Sequence, residues 1–78
     1  MYNWSVDEKR FNIIKELINF LKAQPETKEV LRSNIKDEYG NIVLKVKLSN
    51  NIHPVRKFYI AKYIQEKIDN LKISVIDY

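Results

Sequence analysis

The segment that most restricts the fold is 41–64, because a strand pattern passes directly into a helix pattern within it. From Ile42 to Leu48 every second residue is apolar, which is typical of a strand with one buried face. A polar connection follows, and Pro54 then fits the first position of a helix, with His53 or Asn51 near its N-cap. The apolar residues on one side of this helix are Ile60, Ala61, Ile64, Ile68 and Leu71.

Another helix is predicted near the start of the chain. Ser5 followed by Glu8 forms a capping box, and apolar residues recur at three- and four-residue spacing over 6–21. Pro25 disfavours helical geometry in the residue before it, so the helix is expected to end just ahead of it. Trp4 precedes the cap and is expected to fold back on the core.

A weaker strand pattern and a turn lie between the two helices. Residues 29–36 alternate, with Leu31, Ser33 and Ile35 predicted on the inner face. The segment after them is predicted to be a hairpin turn, with Gly40 placed where a positive φ is needed.

The chain ends in a third strand pattern, 72–78, with Ile73 and Val75 predicted on the inner face. The order α-β-β-α-β predicts one domain, 1–78, of the α+β class. Two helices with one apolar side each can cover one face of a three-stranded mixed sheet, which gives a two-layer sandwich. We favour the strand order 3-1-2, with the third strand beside the first, and pairing beside the second strand stays open.

Composition excludes several classes of site. The chain has no cysteine and a single histidine, so we expect neither disulfides nor a metal site. It contains no glycine-rich phosphate loop, zinc-protease motif or nucleophile elbow, and we therefore predict no cofactor and no enzymatic activity. The first residues lack the apolar segment of a secretory signal, and no apolar run is long enough for a membrane span, so a cytoplasmic protein is expected.

Positive charge is concentrated in the middle of the chain. The net charge is +4, and residues 28–62 carry eight basic groups against three acidic ones. Arg56 and Lys57 occupy the first turn of the second helix, where the helix dipole disfavours cations by about 0.3–1 kcal/mol each. They could hold a phosphate or carboxylate there. The alternative is that Arg56 pairs with an acid distant in sequence while Lys57 extends over the edge of the core.

The sheet face without helices is predicted to be basic. It would present five cations and no carboxylate, and it could bind an anionic partner or simply be solvated. Tyr59 and Tyr63 share a side of the second helix with Arg56, where they could stack on unpaired bases or cover the rim of the core. The residues predicted on this face are Arg32, Asn34, Lys36, Val43, Lys45, Lys47, Lys72, Ser74 and Ile76.

Two family resemblances accompany this pattern. The α-β-β-α-β order with a closing strand Lys-Ile-Ser-Val-Ile-Asp is similar to the ring-building modules of secretion-system and sporulation rings. That resemblance implies subunit contacts through a helix and the closing strand. The order also resembles a reduced type II KH domain, but the G-x-x-G loop that binds nucleic acid in that family is missing, and Gly40 lies in a hairpin instead.

Two functions follow as hypotheses. The first is a small module that binds RNA or single-stranded DNA with weak sequence preference. The second is a protein-interaction or self-assembly module, either a homo-oligomer or an inhibitor of a larger protein, that uses the closing strand and the apolar residues Val43, Ile76 and Tyr78. The residues assigned to nucleic-acid or anion binding are Arg56, Lys57, Lys45, Lys47, Arg32, Lys36, Tyr59 and Tyr63.

Overall fold

The computed structural model describes the backbone of residues 4–78 and the side chains of residues 8–78. Two helices contact a three-stranded mixed sheet, so the predicted α+β class and element order are confirmed. None of the described helices has the length and hydropathy needed to cross a membrane. The elements are α1 (Trp4–Ala23), β1 (Thr27–Arg32), β2 (Ile42–Leu48), α2 (Pro54–Ile68) and β3 (Ile73–Asp77).

The strand order is β1-β2-β3, so the favoured order 3-1-2 is wrong. β1 pairs with β2 antiparallel, and β3 pairs with the other side of β2 parallel. The reason lies in the helix layer. α1 contacts β1, which leaves α2 the space on the same face of the sheet but over the edge away from β1. The chain that leaves α2 therefore reaches the edge beside β2 rather than the edge beside β1.

The inner and outer faces of β1 are also reversed relative to the prediction. Val30 lies opposite Val46 and points towards the helices, whereas Leu31 lies opposite Lys45 and is 47% exposed on the other face. The strand ends at Arg32, earlier than predicted. A register shift between Thr27 and Glu29 inserts one extra residue ahead of this stretch. Within the stretch, Val30 and Leu31 are adjacent and both apolar, so alternation alone does not give the correct phase.

The core lies between the helix layer and the helix-facing side of the sheet. Leu17, Leu21 and Leu44 are fully buried there. The predicted alternation of β2 is confirmed over 44–48, but Val43, predicted as an apolar residue on the exposed face, is only 9% exposed. Two clusters of buried residues share the half-buried Ile64 and Val75 as a common border. The closing strand thus packs with its predicted inner residues against α2. Predictions for the side chains of Trp4 and Ser5 fall outside the described side chains.

The predicted turn and helix start are both present. Gly40 has a φ of 79°, and the Asp37 carboxylate accepts hydrogen bonds from the backbone N–H groups of Tyr39 and Asn41. These bonds hold the pKa of the Asp37 carboxyl below its ordinary value, the Asn41 N–H having the largest effect. Pro54 opens α2, and Nδ1 of His53 accepts a hydrogen bond from the N–H of Val55 over 3.1 Å.

Candidate functional site

Arg56, the cation expected to hold an anion, is paired within the protein. Its Nε lies 2.7 Å from Oε2 of Glu26, and its Nη2 donates to Oε1 of the same carboxylate over 3.2 Å and to the side-chain oxygen of Gln24. The Glu26 side chain is only 19% exposed. The guanidinium lowers the pKa of Glu26, and the carboxylate in turn raises the pKa of Arg56. The alternative of an acid distant in sequence is therefore the arrangement found.

Lys57 has a looser internal partner. Its ammonium lies 3.7 Å from a carboxylate oxygen of Asp77 in β3, and both side chains are about half exposed. An exposed pair at this distance contributes little to stability. The first turn of α2 thus holds one firmly bound cation and one cation that is only loosely neutralised.

Tyr59 and Tyr63 take part in the contact between the two helices. The ring of Tyr63 stacks on Phe20 of α1, with ring centroids 3.7 Å apart, and Tyr59 lies at 6.0 Å from the same ring in a tilted arrangement. The guanidinium of Arg56 lies 5.3 Å from the Tyr59 ring. One face of the Tyr63 ring is therefore already in contact with Phe20 and is closed to a base.

A polar bridge continues this contact further along α2. Glu16 of α1 accepts hydrogen bonds from the Tyr63 hydroxyl over 3.1 Å and from the Lys67 ammonium over 2.9 Å. Lys67 lowers the pKa of Glu16 most strongly, and the carboxylate raises the pKa of Lys67. We call this side of α2, formed by Arg56, Tyr59, Tyr63 and Lys67, the closed flank.

The sheet face without helices is mixed rather than uniformly basic. The strand registers place Lys47 between Glu29 and the end of β3, and the Tyr78 hydroxyl donates to Glu29 over 2.7 Å. That bond raises the pKa of Tyr78. In the next row Lys45 lies between Leu31 and Ile76. The prediction of a face without carboxylates is therefore wrong, because the bulge in β1 turns Glu29 onto it.

The remaining cations predicted for this face lie elsewhere. Arg32 is opposite Leu44 and so belongs to the helix-facing side of the sheet. Lys36 follows the end of β1 in the loop, and Lys72 precedes β3 with a φ of 55°. Of the eight residues assigned to anion binding, only Lys45 and Lys47 share the uncovered face. The structure does not gather the predicted set on one surface.

The outer edge of β3 is open. Lys72 accepts a hydrogen bond from Ile42, and the N–H of Tyr78 donates to Val46, so the even-numbered residues of this strand direct their backbone groups towards β2. Because these groups alternate along a strand, the N–H and C=O groups of Ile73, Val75 and Asp77 point away from β2. Among residues 4–78, no further strand pairs with this edge. The opposite edge, β1, carries a bulge and several charged residues, which hinder strand addition.

A groove of about 200 Å³ lies between α2 and the strands next to this open edge. Its apolar walls come from Ile60, Ala61 and Ile64 of α2 and from Val46, Leu48 and Val75 of the sheet, with Lys57, Gln65 and Asp77 among its polar lining residues. We call the unpaired edge of β3 together with this groove the vacant strand position.

A second side of α2 borders this groove, and the sequence did not indicate it as a site. Ala61 and Gln65 line both the groove and a shallower depression on the outer surface of α2 that Phe58 also lines. Phe58 is 69% exposed. We call Phe58, Ala61 and Gln65 the open flank. One signal was available: Phe58 is a large apolar residue that lies outside the predicted apolar side of the helix.

Within the described side chains, 8–78, no three histidine, aspartate or glutamate residues are grouped so that they could hold a metal ion. His53, the single histidine, is used as the N-cap of α2. Comparison with models of protein families, with curated proteins and with solved structures finds no match to this chain.

Proposed function

We propose that the chain is a non-enzymatic protein-interaction module that takes up an extended strand of a partner protein beside β3. The observation that carries the proposal is the vacant strand position: an unpaired edge next to an apolar groove beneath α2. Strand addition supplies affinity through backbone hydrogen bonds, and pockets for alternate side chains supply specificity. Here Ile73, Val75 and Asp77 offer the backbone groups, and the groove offers the pocket.

The partner strand is expected to lack a helix of its own above this position. A second copy that paired β3 with β3 by two-fold symmetry would bring its own α2 to the same face of the sheet. Since α2 contacts β3 in each copy, two helices about 10 Å wide would lie over strands only about 4.8 Å apart and would compete for the same space. A flexible or terminal segment of another protein avoids this conflict. An inhibitor that captures such a segment is one form the function could take.

The test is a selection of random nine-residue peptides that bind the intact chain, after which the binding of the selected peptides to its Ala61→Arg variant is measured. The variant places a charged side chain in the groove wall. Ala23→Arg is the matched control, because Ala23 is the other of the two alanines in the chain and is exposed at the end of α1. Selected peptides should shift the amide resonances of Ile73, Val75 and Asp77, and Ala23→Arg should bind them normally. Selected peptides that bind Ala61→Arg equally well would contradict the proposal.

A second candidate function is nucleic-acid binding through the uncovered sheet face. Lys45 and Lys47 are exposed there in adjacent rows, and the Lys47 ammonium lies 5.9 Å from the Tyr78 ring. Aromatic rings beside cations are used by proteins that bind single strands. The observation is weaker than the vacant strand position, because two lysines contribute little electrostatic attraction and Glu29 opposes them.

This candidate is tested by titrating a fluorescent single-stranded RNA with the chain at several salt concentrations. Binding through two phosphate contacts should weaken with a log–log slope of about −1.4. The double variant Lys45→Glu/Lys47→Glu should abolish it, whereas Lys9→Glu/Lys15→Glu on the exposed surface of α1 should reduce it only slightly. An affinity that does not change with salt excludes nucleic-acid binding of this kind.

A further inference from the structure

We infer that the partner strand combines aliphatic side chains at alternate positions with acidic side chains between them. This inference rests on the proposed function and adds the chemistry of the ligand. The aliphatic positions would face α2 and the acidic positions the uncovered side of the sheet.

The aliphatic half follows from the groove. Residues that pair beside Val75 alternate faces, so every second side chain of an added strand enters the space under α2. The apolar part of the wall that α2 supplies includes Ile60, Ala61 and Ile64, which offer branched and methyl surfaces. The polar lining comes from Lys57, Gln65 and Asp77. A volume of about 200 Å³ suits two or three valine-sized or leucine-sized groups. An aromatic side chain at each inward position would overfill it.

The acidic half follows from the charges around the open position. Between Glu38 and Glu66 the chain has no acidic residue, and this segment supplies β2 and most of α2. Lys57 lines the groove, and Lys62 lies beside Ala61 on the outer surface of α2, where Glu66 lines the same depression. On the uncovered face Lys45 is next to Ile76, one strand away from the vacant position. Among the described residues, Asp77 is the one carboxylate that lines the groove, and Lys57 already lies 3.7 Å from it.

These charges act at moderate range and are exposed to solvent, so they select between partners more than they supply affinity. The whole chain adds to the effect with its net charge of +4. An acidic strand is attracted and a basic strand of the same shape is repelled. Added salt should reduce the difference between them, because the Debye length falls from about 10 Å at 0.1 M to about 3 Å at 1 M.

The experiment compares two blocked nine-residue peptides that carry valine at alternate positions, with glutamate between the valines in one and lysine in the other. A third peptide has the composition of the first but its valines in one block. Dissociation constants are measured by calorimetry on the full chain at low and high salt, and the contact is mapped from amide shifts. We expect the glutamate peptide to bind at least tenfold more tightly than the lysine peptide at low salt. The block peptide should bind at least tenfold more weakly than the alternating one.

Variants locate the effect. Lys57→Gln combined with Lys62→Gln should reduce the preference for the glutamate peptide severalfold, whereas Lys9→Gln combined with Lys15→Gln on α1 should leave it nearly unchanged. Equal binding of both alternating peptides at the groove overturns this inference while the proposed function stands. If neither binds there but selected peptides of other composition do, the inference again fails alone. If no peptide of any composition binds at β3, or if sedimentation shows that a second copy occupies this edge, the proposed function fails with it.

Discussion

The two flanks of α2 differ in how completely they are used. On the closed flank, the charged groups have partners within the protein: Arg56 pairs with Glu26, while Lys67 and the Tyr63 hydroxyl share Glu16. On the open flank, Phe58 is largely exposed and Ala61 borders an unfilled groove. Both flanks belong to one helix of 15 residues. The difference shows that α1 and the loop after it neutralise the cations of the closed flank, whereas a large apolar group stays exposed on the open flank.

The two flanks differ as places where another molecule could bind. Cations at a helix start suggested an external anion, yet a carboxylate from the loop between α1 and β1 occupies that role for Arg56. An unpaired strand edge beside apolar surface is a feature that folded proteins usually cover or blunt. The open flank is therefore the better candidate for contact with another molecule.

The largest expected effect comes from the core between the two helices and the sheet. Leu21 is fully buried in the cluster with Ile60 and Val46. Leu21→Ala should lower the free energy of unfolding by about 2–5 kcal/mol through lost burial and a cavity. A domain of this size has roughly 4–12 kcal/mol in total, so the variant should be marginal. Leu31→Ala on the uncovered face is the control and should cost less than about 1 kcal/mol. Urea unfolding measures both, and similar losses would contradict the assignment of the faces.

The closed flank should also make stability depend on acid. Arg56 lowers the pKa of Glu26, and Lys67 lowers that of Glu16, from the ordinary value of 4.5. A carboxyl whose pKa is lower in the folded state stabilises the fold fully above its unfolded pKa. That stabilisation is lost as the pH falls through the folded value. The urea concentration at the unfolding midpoint should therefore decrease as the pH is lowered below 4.5. The double variant Glu16→Gln/Glu26→Gln should make this decrease smaller. An unchanged pH profile would show that the two bridges do not persist in solution.

A smaller effect is expected from the hydroxyl that joins the two helices. Burial and the hydrogen bond to Glu16 both raise the pKa of Tyr63, burial more strongly. Tyr63→Phe keeps the ring stacked on Phe20 and removes only the bond over 3.1 Å. The free energy of unfolding should fall by at most about 1 kcal/mol, because the bond is exposed to water. Tyr39→Phe, at an exposed turn position, is the control and should have no measurable effect.

The smallest effect on stability is expected from the open flank. Phe58 is 69% exposed, so Phe58→Ser should change the free energy of unfolding by no more than about 0.5 kcal/mol. Its effect should instead appear in binding, as weaker capture of the peptides selected on the intact chain. Phe20 of α1 packs against the closed flank, so Phe20→Ser is the opposite case and should clearly lower the free energy of unfolding. A strong loss of stability in Phe58→Ser would mean that the open flank is part of the core.

Local sequence determined the elements and several of their ends. The alternation over 44–48 in β2, the Pro54 start of α2 and the glycine turn each depend on a few neighbouring residues, and each is present as predicted. The arrangement of two helices over one sheet face also followed, since an apolar side must be buried against another element.

Tertiary structure alone decided the strand order, the phase of β1 and the partners of the cations. Placement of β3 depends on where α1 leaves room for α2, and the phase of β1 depends on whether Val30 or Leu31 faces the helices. Arg56 and Glu26 are 30 residues apart, so no local pattern links them. Periodicity reports which side of an element is apolar, but not which neighbour covers it or whether the cover is complete. The open edge of β3 exists because, among the described residues, no strand pairs with its outer side, which is a property of the assembled sheet.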